Sequence, residues 1–163
     1  QNKYIALIRD TLLNVARIFP KLLSFFDFYH PWQISNGLID KSLYPNKANG
    51  IVISQPSLEL KVDNKPFDQF IGYSFALIVF DQNEMLFNDI KALESSKIFE
   101  DSIYLINEDS PFNEDSNFIK WRKDNKISAV IIRPDRHVYG CCDDESMITK
   151  VDELNKKLIS ELT

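Results

Sequence analysis

Ala129-Val-Ile-Ile-Arg-Pro-Asp-Arg-His-Val-Tyr-Gly140 is the stretch that decides the fold. Ala129–Ile132 is an apolar run of strand length, and a second β-forming run starts at His137. Between them, Pro134 presets φ at about −65° for the first corner of a turn. Asp135 follows, with a short carboxylate able to bond the local backbone amides. Arg136 then takes the corner where φ becomes positive, at a strain of about 1 kcal/mol relative to glycine. The segment therefore predicts a β-hairpin, with Asp135 on the turn amides and Arg133 paired to a nearby acid or carbonyl.

Working outward, Ser74–Phe80 is a continuous apolar run and reads as a buried central strand. Asn83 to about Leu93 is helical by pattern, with Met85, Leu86, Ile90 and Leu93 on one stripe. Ser102–Ile106 is the next strand, Asp115–Lys123 the next helix, and Ser128–Ile132 the third strand. His137–Tyr139 is the hairpin partner. A last helix starts near Ser146 and carries Ile148, Val151, Leu154, Leu158 and Leu162 on one face. The order β-α-β-α-β-β-α over residues 67–163 predicts an α/β fold. Its sheet is four-stranded and mixed, thioredoxin-like, with helices on both faces.

Residues 29–66 are punctuated by Pro31, Asn36-Gly37, Pro45, Asn49-Gly50 and Asp63-Asn64. They read as a connecting region with short edge strands at Ile51–Ile53 and Leu58–Val62. Residues 1–28 read as a helical appendage, with apolar positions including Ile8, Leu12, Val15 and Phe19 on one face and a break at Pro20. That face needs a covering surface. Together with a first residue that is Gln1 rather than Met, it suggests a piece of something longer.

Composition narrows the chemistry. The chain has 163 residues, a formal net charge of −5 and no sustained basic run, which argues against nucleic acid or an anionic membrane as partner. No run of apolar residues is long enough to span a bilayer. The two cysteines, Cys141 and Cys142, are adjacent; they fit a reducing cytoplasm and read as small residues leaving a strand, one of them facing inward. The two histidines, His30 and His137, lack ligand spacing, so no metal site is expected. A working dithiol needs Cys-x-x-Cys where Phe80-Asp-Gln-Asn-Glu-Met85 stands. The four glycines, Gly37, Gly50, Gly72 and Gly140, are too far apart for a dinucleotide or phosphate loop. The acidic group Glu108, Asp109, Glu114 and Asp115 reads as a solvated loop with a helix cap. No catalytic, cofactor-binding or metal-binding residue is expected in this chain.

The run from Arg133-Pro134-Asp135 to Val138-Tyr139-Gly140 resembles the signature near the C-terminus of FAD-dependent aromatic-ring hydroxylases. The type is that of phenol and 3-(3-hydroxyphenyl)propionate hydroxylase. Further segments are similar in the same order: Ile8-Arg9-Asp10, His30-Pro31 with Gly37, Gly50 with Gln55-Pro56, and Phe67-Asp68 with Gly72 and Phe75. The resemblance implies a thioredoxin-like C-terminal domain of a flavoprotein monooxygenase. The parent oxidoreductase would use FAD and NAD(P)H to place one oxygen atom on a phenol in the cytoplasm. This part would pack on a missing N-terminal FAD and substrate domain, with a homodimer contact as a further option. Under it, Gly50, Gln55, Pro56, Gly72, Phe75, Arg133, Pro134, Asp135, Tyr139 and Gly140 are structural. Two alternatives stand beside this reading. One is a stand-alone, thiol-less thioredoxin-like module that binds a protein; the other is a thiol enzyme using Cys141 and Cys142.

Overall fold

The structure is a computed structural model, and it describes residues 33–163 apart from Leu58 and Asp63. The appendage expected over 1–28 lies outside the described residues. Gln33–Thr163 forms one compact unit.

Before the main sheet, Lys61–Val62 (β1) pairs antiparallel with Lys65–Pro66 (β2) around Asn64, whose φ is 62°. The expected strand over Leu58–Val62 is thus cut to two residues. Pro66 has no amide to donate, so pairing ends there and a five-residue helix, Phe67–Ile71 (α1), begins. It stops at Gly72, where φ is 68°.

The main sheet is built on Ala76–Val79 (β3), whose four side chains are all fully buried. β3 runs parallel to Ile103–Leu105 (β4) and antiparallel to Ala129–Ile132 (β5). Val138–Cys142 (β6) pairs antiparallel with β5, with a bulge between Ile131 and Ile132. The order β4-β3-β5-β6 is the four-stranded mixed sheet expected. The helices Glu84–Ala92 (α2), Ser116–Asp124 (α3) and Met147–Leu162 (α4) complete the alternation. Asn83 and Asp115 cap α2 and α3, each accepting from two backbone amides of the first turn.

Period-two alternation along the strands divides the core into two layers. Ile78, Val130, Ile132, Val138 and Cys141 face a layer containing Phe67, Phe112 and Phe118. Phe67 meets Phe112 and Phe118 edge-on, with ring centroids 5.2 and 5.5 Å away. Leu77, Val79, Ile131, Tyr139 and Cys142 face the other layer, filled by Ile90, Phe99, Val151, Leu154 and Leu158.

Three further expectations need correction. β6 runs on through Gly140 to Cys142, so the cysteines are strand residues buried on opposite faces rather than residues leaving the strand. The cause is register: Ala129 and Val130 require partners, and Cys142 and Cys141 supply them. His137 precedes β6 and forms an isolated bridge with Val52. Met85 does not join the apolar stripe of α2; it is 76% exposed on the first turn.

Residues 33–53 cover the outer edge of β6. Gly50 N donates to Val138 O, Val138 N to Ile51 O, Ile53 N to Arg136 O and Asp40 N to Tyr139 O, at 2.7 to 2.9 Å. An edge strand is thereby closed against pairing with another chain.

Candidate functional site

At the hairpin, the turn is built as the residue types dictate. Arg136 N donates to Arg133 O, and Arg136 adopts φ 70°. The Asp135 carboxylate accepts from His137 N at 3.2 Å and pairs with Arg133 Nη2 at 2.8 Å. Burial acts to raise the Asp135 pKa, but the His137 amide and the Arg133 charge outweigh it and hold the group below its ordinary value. Arg133 reaches across to donate to Leu38 O at 3.1 Å. Pro134 is exposed.

Arg136 points the other way. Its Nε lies 2.8 Å from Asp68, its Nη2 donates to Asp68 O, and its guanidinium sits 5.4 Å from the centre of the Tyr73 ring. Gln55 donates to the same Asp68 carboxylate at 3.0 Å. Asp68 thus joins two parts of the sequence signature, Gln55-Pro56 and the hairpin. Pro56 is buried, Phe75 packs against the α4 layer, and a Cβ at Gly72 would meet open space.

A second cluster, which the sequence reading did not single out, surrounds Asp40. Its carboxylate is fully buried and accepts from the amides of Ser42, Leu43 and Tyr44 at 2.9 to 3.1 Å. Lys157 of α4 completes it at 2.6 Å. Burial raises the pKa of Asp40, yet Lys157 and the three amides prevail and the net shift is downward. Asn49 donates to Asp40 O and Tyr44 O, and the Cys141 thiol donates to Asn49 Oδ1 at 3.3 Å.

Two signature glycines border this hub. A Cβ on Gly140 would lie 3.0 Å from Leu154 Cδ2 and 3.1 Å from Asp40 Cβ. Gly50, at φ 79°, would place a Cβ 2.4 Å from Ile34 O. Tyr139 sends its hydroxyl to Glu161 at 3.0 Å, and burial followed by that carboxylate raises its pKa. The signature residues are therefore not gathered into one pocket. Gln55, Arg133 and Asp135 belong to the turn and its Asp68 link, Gly50, Tyr139 and Gly140 lie on or beside the hub, and Gly72 and Phe75 belong to neither.

The arrangement does not support thiol chemistry. Burial raises the Cys141 pKa, and it pushes the Cys142 thiol up to about 12. Both groups stay protonated at neutral pH, where a reactive cysteine needs its thiolate. The two side chains also face opposite layers.

Two clefts among the described residues bear on whether this chain could hold FAD. One cleft of about 240 Å³ is lined by Tyr44, Asn46, Asn125, Asp143 and Lys150. Another, of about 360 Å³, is lined by Gln33, Ile39, Asp40, Lys41 and Asn49. The first is smaller than an ordinary cofactor site and the second lies at the low end of that range. The space beside Gly50 and Gly140 is filled by Ile34, Asp40 and Leu154, not left open for a pyrophosphate. The described residues do not fit FAD. Among the described residues no group of three or more His, Cys, Asp or Glu is arranged to hold a metal ion, and no helix is long and apolar enough to cross a membrane.

Residues 50–157 match the family model of the HcaD C-terminal domain. This range holds every signature residue from Gly50 to Gly140 and ends on Lys157 of the hub. No curated protein matches the sequence. Among solved structures, the substrate-free form of the rebeccamycin biosynthetic enzyme REBC is similar at 15% identity, with a TM-score of 0.46. The alignment covers 87% of this chain and 26% of that one, so the chain spans about a quarter of that enzyme's length.

Proposed function

The chain belongs to the HcaD C-terminal domain family, and from that premise we propose that it is the C-terminal portion of a FAD-dependent, NAD(P)H-using monooxygenase acting on a phenol. 3-(3-Hydroxyphenyl)propionate is the type substrate. Family membership makes this a flavoprotein-related oxidoreductase domain. The finer assignment rests on one observation: most residues of the hydroxylase-like signature are built into the turn before β6 or the hub beside it. Arg133 and Asp135 brace the turn, Gln55 and Arg136 share Asp68, and Gly140 admits Asp40. Such residues hold a domain in shape, and the chemistry belongs to an N-terminal FAD and substrate domain on which this one packs. A homodimer contact through this domain is part of the same proposal.

A self-contained interaction module is the competing reading. It is favoured by the way Gln33–Thr163 closes its own core and covers the β6 edge.

The test is to express the whole reading frame that contains this chain and record its flavin absorbance, its NAD(P)H oxidation and its products with 3-(3-hydroxyphenyl)propionate. The hydroxylase reading predicts bound FAD, substrate-stimulated NAD(P)H oxidation and a ring-hydroxylated product. Bound flavin with NAD(P)H oxidation but no hydroxylated product from any phenol would make the parent a flavin reductase. A frame with no flavin at all would leave the interaction module standing.

A further inference from the structure

Two Asn-Gly pairs lie in the segment that covers β6, and their surroundings are opposite. Asn36 and Gly37 are both exposed. Gly37 has φ 106°, a Cβ placed on it would meet nothing within 4 Å, and no described residue accepts its amide hydrogen. Asn49, in contrast, is 5% exposed. Its side-chain amide donates to Asp40 O at 2.9 Å and Tyr44 O at 3.0 Å, and its Oδ1 accepts from Cys141. The Gly50 amide is committed to Val138 O at 2.8 Å.

We propose that Asn36 is a site of spontaneous covalent modification, converting to aspartate and isoaspartate, and that the hub protects Asn49 from the same reaction. In the first step the deprotonated Gly37 nitrogen attacks Asn36 Cγ. The N–Cγ bond forms, the Cγ–Nδ2 bond breaks, and the nitrogen departs as ammonia after taking up a proton from water. Water then opens the resulting five-membered imide at either carbonyl. One water is consumed and one ammonia released, and no oxidant or reductant takes part. Glycine promotes the attack because it has no side chain to shield the nitrogen and rotates freely into the cyclising geometry. At Asn49 that geometry requires three side-chain hydrogen bonds and one main-chain bond to break together.

Modification at Asn36 adds one negative charge beside Lys41, whose Nζ donates to Ser35 O. The isoaspartate product also lengthens the main chain of the covering segment by one carbon. Gln33 and Ile34 anchor the start of this segment to Asn49 O and Gly50 O.

The experiment is peptide-resolved mass spectrometry of the full chain, incubated folded at neutral pH and physiological temperature. The readout is a gain of about one dalton at each Asn-Gly peptide. Asn36 is expected to react at least about tenfold faster than Asn49, because exchange at a packed site must wait for local opening. In denaturant the two rates should converge, and Asn36→Gln should remove the gain from its peptide while Asn49 stays slow. The proposal is overturned if Asn49 reacts as fast as Asn36 in the folded chain. It is equally overturned if Asn36 stays intact when folded while both sites react in denaturant.

Discussion

The turn at Arg133–His137 and the hub at Asp40 use the same parts: a carboxylate, a basic side chain and backbone amides. In the turn the basic side chain and the amide lie within two residues of the carboxylate, and the Asp135 side chain is 45% exposed. In the hub the carboxylate and its lysine are separated by 117 positions, and the Asp40 side chain is fully buried. Water screens the first set and leaves it worth little. The second set has exchanged water for protein partners, so losing any partner leaves a buried group unsatisfied. Similar chemistry therefore fixes a local bend in one place and ties three distant segments together in the other.

This contrast can be broken by mutation. Asp40→Ala removes the nearer of the two carboxylates beside Lys157, leaving Glu161 at 3.8 Å, and takes the acceptor from the amides of Ser42, Leu43 and Tyr44. We expect a loss of about 3–5 kcal/mol in unfolding free energy by denaturant titration. The same carboxylate sets an acid limit. Its folded pKa is lowered, so its stabilisation is present above the ordinary carboxylate range, about pH 4, and is lost as pH falls through the lowered value. Asp40→Asn should therefore show a shallower acid decline than the parent chain in pH-resolved unfolding.

Gly50→Ala comes next, at about 2–3 kcal/mol, since the added Cβ meets the Ile34 carbonyl at 2.4 Å and the backbone must hold a positive φ. Asp135→Ala should cost about 1 kcal/mol, the scale of an exposed ion pair plus one turn hydrogen bond. Arg136→Gly should change stability by less than about 1 kcal/mol, because relief of strain at φ 70° offsets loss of the Asp68 pair. If Asp135→Ala proved as damaging as Asp40→Ala, the distinction between turn and hub would fail.

The same contrast explains what could be read from the sequence. Strand order, helix caps and the turn are local: Ala129–Ile132 is apolar throughout, Asn83 and Asp115 stand just before helices, and Pro134-Asp135 states its own geometry. Asp40, Asn49 and Lys157 give no such signal. Asp40 sits in a punctuated stretch that looks like solvent-facing chain, and Asn49-Gly50 looks like an ordinary turn. Their meaning arises only when the covering segment and α4 meet across β6. The length of β6 lies between these cases. Gly140 looks like a stop, but counting the partners that β5 needs would have carried the strand to Cys142.

The central proposal is that the signature residues are scaffold and that turnover resides elsewhere in a longer flavoprotein. The most direct test is the kcat of phenol-stimulated NAD(P)H oxidation by the full-length protein carrying Asp135→Ala, measured well below its unfolding temperature. A scaffold role predicts a kcat equal to that of the unaltered enzyme, with bound flavin retained and a lower Tm. A kcat that falls at least about tenfold while Tm stays unchanged would contradict it, and would move the hairpin from the frame into the active site.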